Sequence, residues 1–425
     1  MIRFYNGSIL TFENGSAQLS AAELWTDGGV IAHIGAAPAG TESFEREIDL
    51  RGNLLLPGFK NAHTHSGMTF LRSLTDDLPL QEWLFNKIFP YEAKLDAEAI
   101  YYFTKLANLE YLAGGVTAAF DMYFYRDAYV QACIDSGFRT VLCGALMQFD
   151  GDFTVAERDF EKYNRIHPLI GYRLGIHAEY TSNVELRRYI KSLIDANRAS
   201  FWTHNSETAS ETAECMERNG CTPTELFERE GMYIYGGGGF HCVHFSENDM
   251  RIFRDNGLWA VTCPCSNAKL ASGTADLMAQ QRMGVLQAIG TDGPSSNNGL
   301  DMFREMYLAC VLQKLRYGDA TAMNPERVLE MACCCGARAM GLNDCDALAV
   351  GKRADIIAID MSMPNMQPVH HPAKNLVYSG NPGNVCMTMI DGRILYENGE
   401  YFLDESAEDI CRRAGEHAGR IIAQV

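Results

Sequence analysis

The sequence is short of positive charge. Lysine and arginine number 36 against 54 aspartates and glutamates, so the formal net charge is −18. Phosphate binding rests on clustered Lys and Arg, so nucleic-acid polymers are excluded as partners. A single nucleoside or another small ring is not. No run approaches the ~18 uninterrupted apolar residues of a membrane span. The opening Met1-Ile2-Arg3-Phe4-Tyr5-Asn6-Gly7 has no basic stretch followed by an apolar core and a small-residue cleavage site. No export signal is read there, and a cytoplasmic protein is expected. Low-complexity segments and repeats at solenoid periods are also missing.

What remains is an ordinary globular composition, 47% hydrophobic and 21% charged. A length of 425 residues points to two or three domains, or to one large barrel with an appendage. The chain has 14 Cys and 11 His. Without export the cysteines should be reduced thiols. Cys333-Cys334-Cys335 suits disulfides poorly and reads as small core filler on a helix.

Both ends read as strands. Arg3–Phe12 alternates loosely, and Leu24–Ile34 is a hairpin around Asp27-Gly28. Near the other end Ala354–Asp360 is a buried strand pattern, and Asp391-Gly392 turns a second hairpin. Asp404–Ala423 has helical spacing. The middle alternates short apolar runs (Thr117–Met122, Thr140–Ala145, Tyr172–His177, Ala199–His204, Met232–His241, Leu258–Cys263, Gln287–Asp292) with helical stretches such as Asp96–Ala113 and Val184–Ala196. This rhythm predicts an α/β fold, a (β/α)8 TIM-like barrel over 57–347. A small β-sandwich domain would be assembled from 1–56 and 348–425. Polar residues collect at the strand C-termini, the edge where such barrels hold active sites.

The strongest local signal is Leu54-Leu55-Leu56 running into Pro57-Gly58-Phe59-Lys60-Asn61-Ala62-His63-Thr64-His65. Alternate residues of a strand face one side, so His63 and His65 can both point into a barrel mouth as metal ligands. Further apolar runs end in His204, with Glu207 three residues on, in His241, and in Asp292. Each has a plain alternative: a core histidine for His204, a turn residue for Asp292, a solvated helix face for Glu207 and Glu211. Their convergence on one barrel edge favours a divalent metal site. His241 ends its run directly, whereas His244 begins a loop.

Two segments imitate other motifs. Cys263-Pro264-Cys265 has no second thiol pair at zinc-finger spacing, and Gly236–Gly239 has no following Lys-Ser/Thr.

The ordered motifs Pro-Gly-Phe-x-Asn-x-His-x-His, His-x-x-Glu, His-Cys-Val-His and Gly-Thr-Asp-Gly-x-x-Ser-Asn-Asn resemble the amidohydrolase superfamily. They are nearest to its branch that deaminates S-adenosylhomocysteine, 5′-methylthioadenosine and adenosine, with chlorohydrolases and guanine deaminases as cousins. The resemblance spans nearly the whole chain. It includes Asp77–Leu84 and Pro90-Tyr91-Glu92, similar to that branch's substrate loop, and Cys263–Asn267, similar to its pocket-shaping Pro-x-Ser-Asn turn.

The resemblance implies that His63, His65, His204 and Asp292 bind one divalent ion, Zn²⁺ or Fe²⁺. Asp292 would take a proton from the attacking water, Glu207 would protonate a ring nitrogen, and His241 would orient the nucleophile. Substrate contacts would fall to Trp83, Glu92, His177 and Ser296. His177 is equally readable as a group that supports a ligand from behind. Two-metal members use a mid-barrel lysine; none lies between Lys162 and Lys191, which favours one metal. Where the family's arginines hold an amino-acid carboxylate, this chain has Gly144 and Val155. Arg139 and Arg158 are out of register, so a smaller nucleoside, a 5′-modified adenosine or a different amino-heterocycle is expected rather than a substrate with an amino-acid tail.

The alternatives are a hydrolase of a cyclic amide, urea or chloro-heterocycle, a deaminase of another base such as guanine, or a silent binding protein. Glu207 with His241 favours ring deamination, and a silent protein would be expected to lack one of His63, His65, His204, Glu207 or Asp292, all of which are present. The expected partners are a small heterocyclic substrate and further copies of the same chain, not membranes.

Overall fold

Eight parallel strands, each followed by helical chain, fill the middle of the sequence: Phe59–Thr64 (β1), Val116–Asp121 (β2), Arg139–Cys143 (β3), Ile170–Ala178 (β4), Phe201–Asn205 (β5), Gly237–His241 (β6), Trp259–Thr262 (β7) and Leu286–Ile289 (β8). The computed structural model describes residues 1–13, 15–37, 40, 43–78 and 80–425. The strands pair in chain order from β1 to β8. Every residue of β1, β2, β3, β5 and β6 is buried, as in a parallel sheet covered on both faces. Ala62, Phe120, Val141, Trp202, Phe240, Val261 and Ala288 fill the interior, so the barrel is a packed core.

The ring closes where the last strand meets the first. The N–H groups of Thr291 and Asp292 donate to the His63 carbonyl at 3.1 and 3.0 Å. Asn61 accepts from the Thr291 N–H at 2.9 Å and donates to its hydroxyl at 2.7 Å.

The intervening helices begin on side-chain caps. Asp96 accepts from the Ala99 N–H ahead of Ala97–Ala113, and Asn183 from Leu186 ahead of Val184–Asn197. The last helix, Ala407–Ile422, is capped by Ser406 and starts later than its periodicity predicts.

The chain ends build two further sheets. One has the order Val30–Gly35, Glu23–Asp27, Ile2–Tyr5, Arg46–Asp49; the other runs Glu400–Tyr401, Arg393–Glu397, Val385–Ile390, Ile356–Ile359, Leu54–Pro57, Ser8–Glu13, Ser16–Ser20. Phe4, Leu24 and Ile31 of the first pack with Ile9, Leu55, Ile356, Met387 and Met389 of the second. A buried bidentate pair, Arg139 to Asp355 at 2.8 and 3.0 Å, ties β3 to the strand Ile356–Ile359.

Two expectations need correction. Leu54-Leu55-Leu56 does not run into the barrel. It lies in the terminal sheet, beside Ile356–Ile359, and β1 starts afresh at Phe59. Gly58 separates the two strands, and a Cβ there would meet the Thr117 side chain at 2.2 Å. The run Met232–His241 is strand only from Gly237, a position where a Cβ would meet the Phe201 carbonyl at 1.9 Å. The glycine run therefore serves close strand approach.

All the cysteines are free thiols, and all but Cys386 and Cys411 are buried. Cys333–Cys335 lie in a helical turn packed into the core. Among the described residues no helix is long and apolar enough to cross a membrane.

Candidate active site

The strand ends gather four ligand-type side chains. One donor atom from each of His63, His65, His204 and Asp292 lies within 4.8 Å of the others. His63 projects from β1 over the ring of Phe240, stacked at 3.9 Å. His65 lies two residues on, just past the strand, and its Nε2 stands 3.2 Å from Asp292 Oδ1; His63 Nε2 stands 3.5 Å from that same oxygen. His204 comes from β5.

Hydrogen bonds aim these rings from behind. His65 Nδ1 donates to the Met122 carbonyl at 2.6 Å, and His204 Nδ1 donates to the His177 carbonyl at 2.7 Å. Each leaves Nε2 free to face the cluster, as metal-bound histidines require. His63 is fully buried with no partner for either ring nitrogen. Buried nitrogens are rarely left so without a ligand to take them. Burial pushes His63 down to about 3, so its ring is neutral and able to donate a lone pair. Three neutral-capable imidazoles and one carboxylate fit a divalent metal ion.

Asp292 is built for two partners at once. Its Oδ1 faces the histidines, and its Oδ2 accepts from the Ser266 and Ser296 hydroxyls, both at 2.6 Å. Burial works to raise its carboxyl, yet His63 and His65 hold it well below the ordinary range. Its backbone is left-handed, φ +60°, as are those of Ser206 at +52° and His241 at +70°. Such conformations in non-glycine residues cost energy and persist only where the surroundings enforce them.

Glu207 and His241 close the constellation, with Oε2 3.8 Å from Nε2. Ser272 donates to Glu207 Oε1 at 3.0 Å, and Asn267 Oδ1 accepts from His241 Nδ1 at 2.8 Å. Burial raises the Glu207 carboxyl, and His241 opposes it only in part. Glu211 is turned away from solvent: its carboxylate accepts the N–H groups of Ser206 and Glu207, at 3.0 and 2.7 Å, and so fixes the turn that carries Glu207.

These strand ends open onto one pocket. His65, His177, His204, Glu207, His241 and Asp292 occupy one end. Trp83, Leu84, Phe89, Tyr123, Phe124 and Met147 supply apolar wall, and Glu92 is the remaining acid. Glu92 accepts from Tyr123 Oη at 2.7 Å, and burial pushes its carboxyl up to about 7. Trp83 lines the pocket while its indole N–H is committed to Thr75 Oγ1 at 3.1 Å. Pro79, within the expected substrate loop, lies outside the described residues.

Ser296, expected on the substrate, is instead a support of Asp292. It is buried behind the carboxylate and absent from the pocket wall. The His177 carbonyl accepts from His204 Nδ1, and the His177 ring lines the pocket. His244 turns aside, its Nε2 on the Ser272 carbonyl at 2.7 Å. No Lys or Arg lines the pocket among the described residues. Arg139 is held by Asp355, and Arg158 by Asp152.

Sequence reasoning missed Ser266, Asn267, Ser272 and Glu211 as individual supports. The Pro264-Cys265-Ser266-Asn267 turn was the available signal for the first two.

The chain was compared with known proteins. The model of the amidohydrolase family matches residues 54–395. A 5-methylthioadenosine/S-adenosylhomocysteine deaminase of Desulforudis audaxviator is 38% identical, covering 92% of each chain. A protein of the same description from Caldicellulosiruptor saccharolyticus is 35% identical over 94% of this chain and 95% of its own. Among solved structures, a zinc-bound adenosine deaminase of Xanthomonas campestris superposes with a TM-score of 0.92 at 31% identity, covering 99% of this chain and 98% of its own. The zinc-complexed atrazine chlorohydrolase of Arthrobacter aurescens superposes with a TM-score of 0.90 at 21% identity, over 98% and 100% of the two chains, a likeness of fold alone. Matched by the family model across most of its length and by such relatives from end to end, the chain belongs to the amidohydrolase family.

Proposed function

We propose that this protein is a metal-dependent aminohydrolase that releases ammonia from an adenosine-like nucleoside whose 5′ substituent carries no charge. The observation that carries the reading is the meeting of Glu207, His241 and Asp292 at the end of the pocket where the four ligand-type residues converge. Replacing a ring amine by oxygen needs a proton on a ring nitrogen, a base for the attacking water and a carrier for the leaving amine. Two carboxylates and an imidazole supply all three.

His63, His65, His204 and Asp292 would hold one ion, which we take to be zinc on the nitrogen-rich donor set, with ferrous iron the alternative. When bound, it would lower the pKa of a coordinated water to about 7 and so provide a nucleophile at neutral pH.

Burial favours the protonated form of Glu207, which suits it to give a proton to a ring nitrogen and make the adjacent carbon electrophilic. Asp292, its carboxylate held in place by Ser266 and Ser296, would take a proton from the attacking water and return it to the departing amine. His241 carries its hydrogen on Nδ1 toward Asn267 and turns Nε2 to the reacting centre, where it orients the nucleophile.

Trp83 offers an aromatic face to the nucleoside, and Glu92 offers carboxylate oxygens to ribose hydroxyls. With no cation in the wall, a substrate carboxylate would enter unpaired, at a cost of several kcal/mol for a buried charge. The apolar wall of Phe89, Phe124 and Met147 suits a thioalkyl or deoxy 5′ end instead. Both relatives carry a name that pairs 5-methylthioadenosine with S-adenosylhomocysteine, which supports an adenosine-like ring; the preference for an uncharged 5′ end rests on the pocket wall.

The test is ammonia release and the accompanying ultraviolet shift over adenosine, 5′-deoxyadenosine, methylthioadenosine, S-adenosylhomocysteine, guanine and cytosine. Turnover of the uncharged adenosines is expected. No ammonia from any of them, with activity on a cyclic amide, would overturn the reading.

A further inference from the structure

Glu305 lies on the helix Met302–Tyr317 with none of its surface exposed. Its two oxygens go to different loops. Oε2 accepts the backbone N–H of Cys265 at 2.9 Å, and Oε1 accepts the side-chain amide of Asn297 at 2.6 Å. The residues after Cys265 are Ser266 and Asn267, which bond Asp292 Oδ2 and His241 Nδ1. Asn297 also donates to the Thr291 carbonyl at 2.7 Å, one residue before Asp292.

A fully buried carboxyl is costly, and burial pushes Glu305 up to about 8. Its place here fits the number of acceptors required. Both neighbours present N–H donors, and the carboxyl offers an oxygen to each; glutamine would turn an amide N–H onto one of them.

We propose that Glu305 is a positioning residue that clamps the turn carrying Ser266 and Asn267 to the turn carrying Asp292. Through that clamp it sets the orientation of the Asp292 carboxylate and of the His241 ring together. Glu305 touches neither substrate nor metal. The inference rests on the proposed function only for its rate readout.

The test compares Glu305→Gln with Met306→Ala, a cavity variant one residue along the same helix in the apolar core. The full-length chain is loaded with cobalt(II), and its visible ligand-field spectrum is recorded beside kcat, KM and melting temperature. Glu305→Gln should keep one metal per chain, shift the cobalt bands, and lower kcat by about 10- to 100-fold with KM nearly unchanged. Met306→Ala should lower the melting temperature while leaving spectrum and kcat at parental values. Parental spectrum and kcat in Glu305→Gln would overturn the proposal, whatever its melting temperature. If Glu305→Gln does not fold, Asn297→Ser cuts one arm of the clamp and is read in the same way. Shifted bands in a protein that deaminates no nucleoside would uphold the clamp and remove the proposed function.

Discussion

The backbone N–H of Asp292 donates to the carbonyl of His63 at 3.0 Å, so the only carboxylate among the four ligand-type residues is stitched to the first of the three histidines. The stitch lies between the first and last barrel strands. It explains how a residue beyond the end of β8, in a left-handed conformation, is held against its neighbours. The Asp292 side chain then needs its own anchor, which Ser266 and Ser296 provide at one oxygen.

Removing those anchors should act on orientation more than on metal affinity. Ser266→Ala and Ser296→Ala should each lower kcat about tenfold. The double variant should depart from additivity, because both hydroxyls serve Oδ2. Steady-state kinetics with metal analysis checks this, and metal loss in either single variant would contradict it.

Glu207→Gln keeps the shape of the side chain and removes the proton we propose it donates. Turnover should fall by at least about 10²-fold while metal content stays at the parental level. Loss of metal on this substitution would move Glu207 out of its assigned role.

The pocket wall predicts a ranking of substrates. Methylthioadenosine should exceed S-adenosylhomocysteine in kcat/KM by about tenfold or more, since the latter must bring its carboxylate to a wall without a cation. Placing an arginine at Met147 should narrow that ratio. Equal kcat/KM values in the parent would show that the amino-acid tail stays in water.

Acid stability should report the buried pair Arg139–Asp355. Burial raises the Asp355 carboxyl, but Arg139 outweighs it, and the folded value lies below the ordinary one. The stabilisation is therefore complete above the unfolded pKa of about 3.9 and is lost as pH falls through the folded value. Asp355→Asn should cost about 3 kcal/mol near neutral pH, because the buried guanidinium loses its bidentate partner and keeps only Asp391 at 3.6 Å. In urea melts that deficit should shrink below about pH 4, and a constant deficit from pH 3 to 7 would contradict the linkage.

The barrel was legible because each strand is a short apolar run with a polar residue at its C-terminal end. His63, His65, His204, Glu207, His241 and Asp292 could be named because they stand at those ends. Strand limits were less legible where backbone contact decides them. Leu54–Pro57 has the composition of a barrel strand, but its pairing with Ile356–Ile359 is a contact between opposite ends of the chain. The supporting residues were the least visible. Serine, asparagine and glutamate at Ser266, Asn267 and Glu305 carry no periodic signal, and their roles depend on which loops the fold lays side by side. Ser296 was found for the wrong reason: its motif marks the site, but its hydroxyl faces the carboxylate from behind.

The seam that joins Asn61 to Thr291 spans 230 residues of sequence. During synthesis, the first two histidines emerge long before their carboxylate exists. A growing chain therefore offers only fragments of the centre, and the full affinity for an ion arrives with the final strand. Metal loading would then act as a late inspection of the finished ring, and a truncated product lacking β8 would fail it.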